Sequence, residues 1–300
     1  MEGPVIVLWL AACRKDPTPT APTAETGDTG PTTTPTGTCA ADATDDLGPD
    51  PFFDGWNGEL AFRAVGGFAS FEGAFQSGPD VRFQVESDRR GPCRLETYTP
   101  STCTPACAGD QLCRESTCVD QPHRLDGGTL TLSGPTSDPL TLDPDGIGGY
   151  YAYTYDPIDD TAPLVLEGTA GPDIGAFTAT TCPVGPANPD GDWAAALAAR
   201  GDGEDVTLRW ANPNPEARIR LRMTTGTATH GGIAHAEIAC EGPDTGSLVL
   251  PGAFLDTLYA EGWACGECGG NDLVRYRAAA VGDTGTAFVS EAVTSFFHIP

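Results

Sequence analysis

The chain has 300 residues, with 38 glycines, 27 prolines and a formal net charge of −26 at pH 7. Such an acidic protein is repelled by phosphate backbones, so its composition argues against nucleic-acid binding. The glycine and proline content is high for a helical protein and favours many short strands joined by turns.

The N-terminus carries an apolar run that begins at Pro4 and ends in Leu10-Ala11-Ala12-Cys13. This ending resembles the lipobox of bacterial lipoproteins, the signal for cleavage and lipid attachment. The resemblance implies that residues 1–13 are a signal peptide, that Cys13 carries the lipid, and that the protein is exported and anchored at the outer membrane or cell surface. Glu2 stands where signal peptides usually have Lys or Arg, so an accidental match is the alternative.

Residues 14–50 form a segment of low complexity. Ten of the 23 residues from Asp16 to Thr38 are Thr and five are Pro. A chain of this composition has too few apolar side chains to form a packed core and favours extended polyproline II. We therefore predict a disordered stalk that is followed by the folded part of the chain.

Residues 51–122 show the first strand patterns. Val81–Val85 alternates apolar and polar residues, as a half-buried strand does, and Cys93–Tyr98 is a second predicted strand. The spacing C-x3-C-x5-C-x4-C then spans residues 103–118, which we call the knot. Its other residues are small, polar or Pro, and it resembles the small Cys-rich, EGF-like inserts of exported proteins. A zinc site is the alternative, but the knot contains no His, so disulfides are favoured.

The cysteine count supports export in a second way. There are 11 cysteines, and removing the lipid-carrying Cys13 leaves an even set of ten. Disulfides form outside the cytosol, where that many free thiols are not expected. The cysteines predicted to form disulfides are Cys39, Cys93, Cys103, Cys107, Cys113, Cys118, Cys182, Cys240, Cys265 and Cys268.

Residues 123–300 show strand and turn signals every 8–15 residues, with short helices predicted near 193–200 and 253–260. Val206–Trp210 and Arg218–Met223 each place their apolar residues on one face, and the Asn-Pro-Asn-Pro turn between them predicts an antiparallel hairpin. Arg218, Arg220 and Arg222 then form its solvated face. The pattern predicts an all-β protein, an antiparallel β-sandwich that is one large body or two in tandem.

The order of these features resembles that of uncharacterised myxobacterial-type surface lipoproteins. In them a lipobox, a Thr/Pro stalk and a C-x3-C knot precede a sandwich. The matching features here include Cys118-Val119, the strand Val206–Trp210, and Ile238-Ala239-Cys240 followed by Asp244-Thr245-Gly246-Ser247. The resemblance implies an architecture and no activity.

Two Asp-Thr-Gly segments, at Asp244 and Asp283, match the signature of pepsin-like aspartic proteases, in which two carboxylates share one proton. Two differences speak against a protease. The motifs are 39 residues apart (283 − 244), whereas the family separates them by a whole lobe, and neither follows a buried apolar strand. Asp, Thr and Gly are also common turn residues.

Tyrosines are concentrated in Tyr150–Tyr155, where Tyr151, Tyr153 and Tyr155 share one face if the segment is a strand. Such a row is suited to bind a glycan or another envelope protein, and cross-strand packing inside the sheet is the alternative. The nearby aspartates are candidates for a Ca²⁺ site without EF-hand spacing or for solvated turns. These are Asp143, Asp145, Asp156, Asp159 and Asp160.

Cys265 and Cys268 match a redox dithiol in spacing, but no thioredoxin-like βαβ pattern surrounds them, which favours structural half-cystines. The sequence as a whole predicts a lipid-anchored surface protein that acts as a non-catalytic binding or structural module, without a cofactor. A secreted hydrolase that uses Asp244 and Asp283 is the alternative.

Overall fold

The computed structural model of the chain describes residues 55–65, 68–156, 158–159, 162–225, 233–262 and 271–295. Its regular secondary structure consists mainly of strands, with two short helices among the described residues. The predicted all-β class is therefore confirmed. The predicted signal peptide (1–13) and stalk (14–50) lie outside the described residues.

Within the described residues the strands are β1 (Glu59–Val65), β2 (Phe68–Gln76), β3 (Val85–Arg90), β4 (Cys93–Thr97), β5 (Gln111–Arg114), β6 (Thr117–Asp120), β7 (Arg124–Leu125), β8 (Leu130–Ser133), β9 (Leu140–Leu142), β10 (Gly149–Thr154), β11 (Leu164–Gly168), β12 (Phe177–Thr181), β13 (Asn188–Pro189), β14 (Val206–Ala211), β15 (Arg218–Thr224), β16 (Ala236–Pro243), β17 (Ser247–Leu250), β18 (Asp272–Val281) and β19 (Thr286–Ser295). The helices are α1 (Trp193–Ala198) and α2 (Gly252–Ala260).

One ten-stranded sheet organises the fold. Nine of its strands follow the order β10-β2-β1-β19-β18-β15-β16-β4-β3, and β7 pairs with β2. Neighbouring strands are antiparallel except β1 and β19, which are parallel. Strands from both predicted segments, 51–122 and 123–300, thus belong to the same sheet.

Two smaller sheets share hydrophobic cores with the long sheet. The first has the order β12-β11-β8-β9, and its core joins Phe71 of β2 to Leu166 of β11. The second has the order β13-β14-β17, and its core joins Leu221 of β15 to Leu208 of β14. The long sheet is therefore common to two sandwich cores.

A buried ion pair lies between the two cores. On β18, Leu273 belongs to one core and Val281 to the other. Arg275 points to the same side of the strand, and its Nε lies 2.7 Å from an Asp244 carboxylate oxygen. The guanidinium also donates hydrogen bonds to three backbone carbonyls. The ion pair and these three hydrogen bonds make a buried charge tolerable between two apolar cores.

The predicted strand at Val81–Val85 is wrong, because β3 begins only at Val85. The preceding residues form no strand. Arg82 instead makes ion pairs with Glu96 of β4 and Glu237 of β16. A charged partner across the sheet therefore outweighs the local alternation of apolar residues.

The predicted hairpin of β14 and β15 is also wrong. β14 pairs with β13 and β17, whereas β15 pairs with β16 and β18. The Asn-Pro-Asn-Pro segment instead joins two different sheets. The apolar faces of β14 and β15 were predicted correctly, but both strands contribute to one core from opposite sides.

Disulfides link the cysteines of the described residues, as predicted. Cys93 and Cys240 lie opposite each other on β4 and β16 and are bonded. The knot contains two disulfides, Cys103–Cys113 and Cys107–Cys118, so its cysteines are cross-linked as predicted, in place of a zinc site. Cys182 is also disulfide-bonded. The predictions for Cys13, Cys39, Cys265 and Cys268 lie outside the described residues.

Candidate binding site

The candidate site is a row of exposed aromatic side chains on β10 and on the residue that directly follows it, which we call the aromatic strip. Tyr151, Tyr153 and Tyr155 are 64%, 57% and 73% exposed. The ring centroids lie 6.1 Å apart for the first pair and 6.0 Å apart for the second. Phe68 of β2 extends the strip, with its ring centroid 5.3 Å from that of Tyr155. The three tyrosines share one face, as predicted.

The alternation of β10 explains why these tyrosines are exposed. Tyr150 points to the opposite face, where it is 2% exposed and makes an edge contact with Phe75 at 5.9 Å. Its hydroxyl accepts a hydrogen bond from the Gly127 amide and donates one to the Gly128 carbonyl. Because Tyr150 is buried in a core, Tyr151 and Tyr153 point to the opposite face of the strand, which is exposed.

β10 is the last strand at one end of the long sheet. Gly149, its first residue, donates its amide to the Asp145 side chain, and its carbonyl accepts from the Asp145 amide. Both backbone groups of a strand residue point to the same edge, and alternate residues share that edge. The amides and carbonyls of Tyr151 and Tyr153 therefore point away from β2.

Acidic side chains surround the strip. Glu72 faces Tyr151 in the β2 register and is 47% exposed. Three of the aspartates considered for Ca²⁺ have side-chain contacts within the protein: Asp145 accepts two backbone amides, Asp143 accepts from the Thr129 hydroxyl, and Asp156 accepts from the Thr154 hydroxyl. Asp160 lies outside the described residues. Among the described residues, the one group of three potential metal ligands is in the knot, and its cysteines form disulfides.

A buried network of charges continues from the strip across the same face of the sheet. Arg63 of β1 bridges Glu72 and Glu291 of β19. Arg220 of β15 also contacts Glu291 and holds Glu59 of β1 with two hydrogen bonds of 2.8 and 3.1 Å. We call Glu59, Arg63, Arg220 and Glu291 the glutamate–arginine network.

The prediction that Arg218, Arg220 and Arg222 form a solvated face is wrong for Arg218 and Arg220 and holds only for Arg222. The side chains of Arg218 and Arg220 are only 16% and 11% exposed, while that of Arg222 is 51% exposed. Arg218 contacts Glu241, and Arg222 contacts the buried Glu237. β15 does alternate apolar and polar residues. Its polar face is not fully solvated, because the sheet extends on both sides of β15 and other strands place charged side chains on the same face.

Burial and the arginines shift the two glutamates of the network in opposite directions. Burial raises the pKa of Glu291 above its ordinary value and outweighs the attraction of Arg220. At Glu59, burial also acts to raise the pKa, but the charge and hydrogen bonds of Arg220 prevail and lower it. Nearby, burial and Glu241 raise the pKa of the Tyr276 hydroxyl well above its ordinary value.

The structure does not bring Asp244 and Asp283 together. Asp244 is buried, where it accepts hydrogen bonds from the Trp210 indole and the Asn214 amide. Asp283 is exposed in the turn between β18 and β19. Arg275, the partner of Asp244, is six residues before Val281 on β18 (281 − 275), which spans about 20 Å at about 3.3 Å per residue. A shared proton needs a separation of about 3 Å.

Sequence reasoning missed Phe68 and the glutamate–arginine network. Phe68 follows Gly66-Gly67 at the start of a strand, but its place beside Tyr155 depends on pairing between segments more than 80 residues apart (155 − 68 = 87). Glu59 and Glu291 are single acids in apolar strands. A single acidic residue in an apolar strand indicates a buried charge that needs an oppositely charged partner, and this signal was present in the sequence.

Comparison of the chain with family models, curated proteins and solved structures finds no match. In the part of the chain that the structure describes, neither helix has the length and apolar character to cross a membrane.

Proposed function

We propose that this chain is an exported, lipid-anchored surface protein that acts as a non-catalytic binding module, and that the aromatic strip is its binding site. The exposure of Tyr151, Tyr153 and Tyr155 carries the proposal. Cross-strand packing, the alternative role for these residues, does occur between Phe68 and Tyr155, but it does not cover the three tyrosine rings, which are more than half exposed.

The chemistry of the strip fits recognition of another molecule. A Tyr side chain offers a large, rigid contact area with a polar hydroxyl, at a low cost in conformational entropy. Large exposed aromatic side chains that lie next to one another are unusual on a monomeric surface and mark interaction sites. The ligand that we propose is an envelope component, a glycan or a protein.

Two observations support the proposed location. Each cysteine among the described residues is in a disulfide, which is typical of an oxidising compartment. The lipobox-like ending at Cys13 supplies the anchor in this proposal, and residues 14–50 supply the stalk. No observation favours the hydrolase alternative, because Asp244 is used in a buried ion pair away from Asp283.

Retention of the oxidised full-length protein on peptidoglycan, insoluble polysaccharides and immobilised envelope proteins tests the proposal. The variant Tyr151→Thr, Tyr153→Thr, Tyr155→Thr keeps residues that favour strands but removes the rings. Binding hot spots contribute about 2 kcal/mol or more each, so affinity should fall well over about tenfold. Val249→Thr, at a half-exposed position of β17, is the control and should bind normally. Equal retention of all three proteins contradicts the proposal.

A further inference from the structure

The two ends of the long sheet are protected very differently. At one end, β3 has five exposed residues, four of them charged, with ion pairs Glu86–Arg89 and Asp88–Arg90. Its register also shifts between Glu86 and Asp88. Charges and bulges of this kind are the usual means of preventing an edge strand from pairing with another chain.

At the other end, β10 lacks this protection. Its sequence, Gly-Tyr-Tyr-Ala-Tyr-Thr, contains no charged residue and no proline. Among the described residues no strand pairs with its outer edge. The amides and carbonyls of Tyr151 and Tyr153 point to that edge, as the hydrogen bonds of Gly149 show. This edge offers the hydrogen-bonding groups that an additional strand requires.

The charges around β10 select the chemistry of that strand. Glu72, which also pairs with Arg63, lies beside the strip, and the exposed Asp143, Asp145 and Asp156 lie in the turns before and after it. Arg124 lies near Asp145, and acidic side chains outnumber basic ones around the strip. The whole chain has a net charge of −26, so a second copy is repelled whereas a basic segment is attracted. Arg or Lys side chains on an added strand also gain from contact with the faces of exposed tyrosine rings.

We propose that β10 binds an extended, basic segment of a partner protein, which adds to the long sheet as a further strand. The segment pairs with Tyr151 and Tyr153 through the backbone, and its alternate side chains lie across the aromatic strip. This inference rests on the proposed binding function and names the class of ligand. The strip's rings are tilted by 49° and 77° to one another, so they form no flat platform for a sugar.

A library of displayed random peptides of about ten residues, twice the length of a typical strand, provides a defined probe. Selection on the oxidised full-length protein should enrich peptides that are basic, alternate in polarity and lack proline. Binding of a selected peptide should slow hydrogen exchange at the amides of Tyr151 and Tyr153, because both become hydrogen-bonded. A ligand that only stacks on the rings leaves these amides exchanging as before.

Matched variants separate backbone pairing from side-chain contact. N-methylation of the peptide at the alternate residues that face β10 removes the amide donors that would pair with this strand. Each lost hydrogen bond costs about 1 kcal/mol, so binding should weaken by about tenfold or more. N-methylation at the intervening residues should have little effect. Tyr153→Lys places a charge on β10 like those that protect β3, and it should also weaken binding about tenfold. Val249→Lys is the control on β17.

The outcomes distinguish this inference from the proposed function. Retention that depends on the tyrosines, together with protected amides, supports both. Retention that depends on the tyrosines but is competed by glycans, with unprotected amides, overturns the strand-addition proposal alone. No enrichment of peptides, or enrichment of peptides that leave both amides unprotected, also overturns it. Retention that is unaffected by loss of the tyrosines overturns both.

Discussion

Replacement of Arg220 by methionine removes the cation that joins the buried carboxylate of Glu291 to the partly buried carboxylate of Glu59. Loss of one partner from a buried ion pair costs about 3–5 kcal/mol, because the remaining charge is left without compensation. Glu291 keeps its contact with Arg63 at 2.9 Å, and the side chain of Glu59 is 31% exposed. Both features limit the loss, so we expect a decrease of about 3 kcal/mol in the free energy of unfolding at neutral pH.

The loss should depend on pH with a defined sign. Without Arg220, burial raises the folded-state pKa of both glutamates above the unfolded value of about 4.3. A group with a raised folded-state pKa contributes stability that is present below the unfolded pKa and is lost as pH rises through the folded one. In the unchanged protein the lowered pKa of Glu59 works in the opposite direction, since its contribution is lost as pH falls. The difference between the two proteins should therefore be small near pH 4 and largest above about pH 7.

Urea unfolding at these two pH values measures the difference, provided that the slopes of the transitions agree. Arg209→Met on β14 is the matched control, because Arg209 is exposed. It should change stability by no more than about 0.5 kcal/mol. A loss below about 1 kcal/mol for Arg220→Met at neutral pH, or an equal loss at both pH values, would refute the account of the network.

Three further predictions concern the rest of the fold. Replacing Cys93 and Cys240 by alanine should reduce the free energy of unfolding by about 4–5 kcal/mol, because their disulfide spans 147 residues; an unchanged denaturation midpoint would contradict this. Mild reduction of the knot should allow proteolysis within it while the far-ultraviolet circular dichroism of the long sheet persists, and simultaneous loss of both would show that the knot supports the sheet. Asp244→Asn should destabilise the protein by about 3 kcal/mol because it leaves a buried arginine charge, whereas Asp283→Asn should be neutral within about 0.5 kcal/mol in thermal unfolding; comparable losses from the two variants would be the contrary result.

Local sequence patterns were sufficient to predict strands that have one buried face. The alternation in Val206–Trp210 and in Arg218–Met223 correctly identified which residues enter a core. The same period of two placed Tyr151, Tyr153 and Tyr155 on one face. These predictions succeeded because alternation is a property of the backbone geometry of a single strand.

The partners of a strand and the side chains that contact its face come from segments distant in sequence, and the predictions of these contacts failed. Arg220 was predicted to be solvated, yet it contacts Glu59, which is 161 residues away. The hairpin of β14 and β15 failed for the same reason, since each strand pairs with distant segments. The order of strands also determines that β10 lies at an edge, and its own sequence does not encode that position.

Chemical footprinting of tyrosines on the native envelope tests the central claim most directly. Tyr151, Tyr153 and Tyr155 are exposed and should be nitrated readily in the free, full-length protein, while the half-buried Tyr98 provides an internal reference. If the strip binds an envelope component, these three tyrosines should lose most of their reactivity on intact cells while that of Tyr98 is unchanged. Equal modification of the strip in the free protein and on cells would contradict the proposal that it is a binding site.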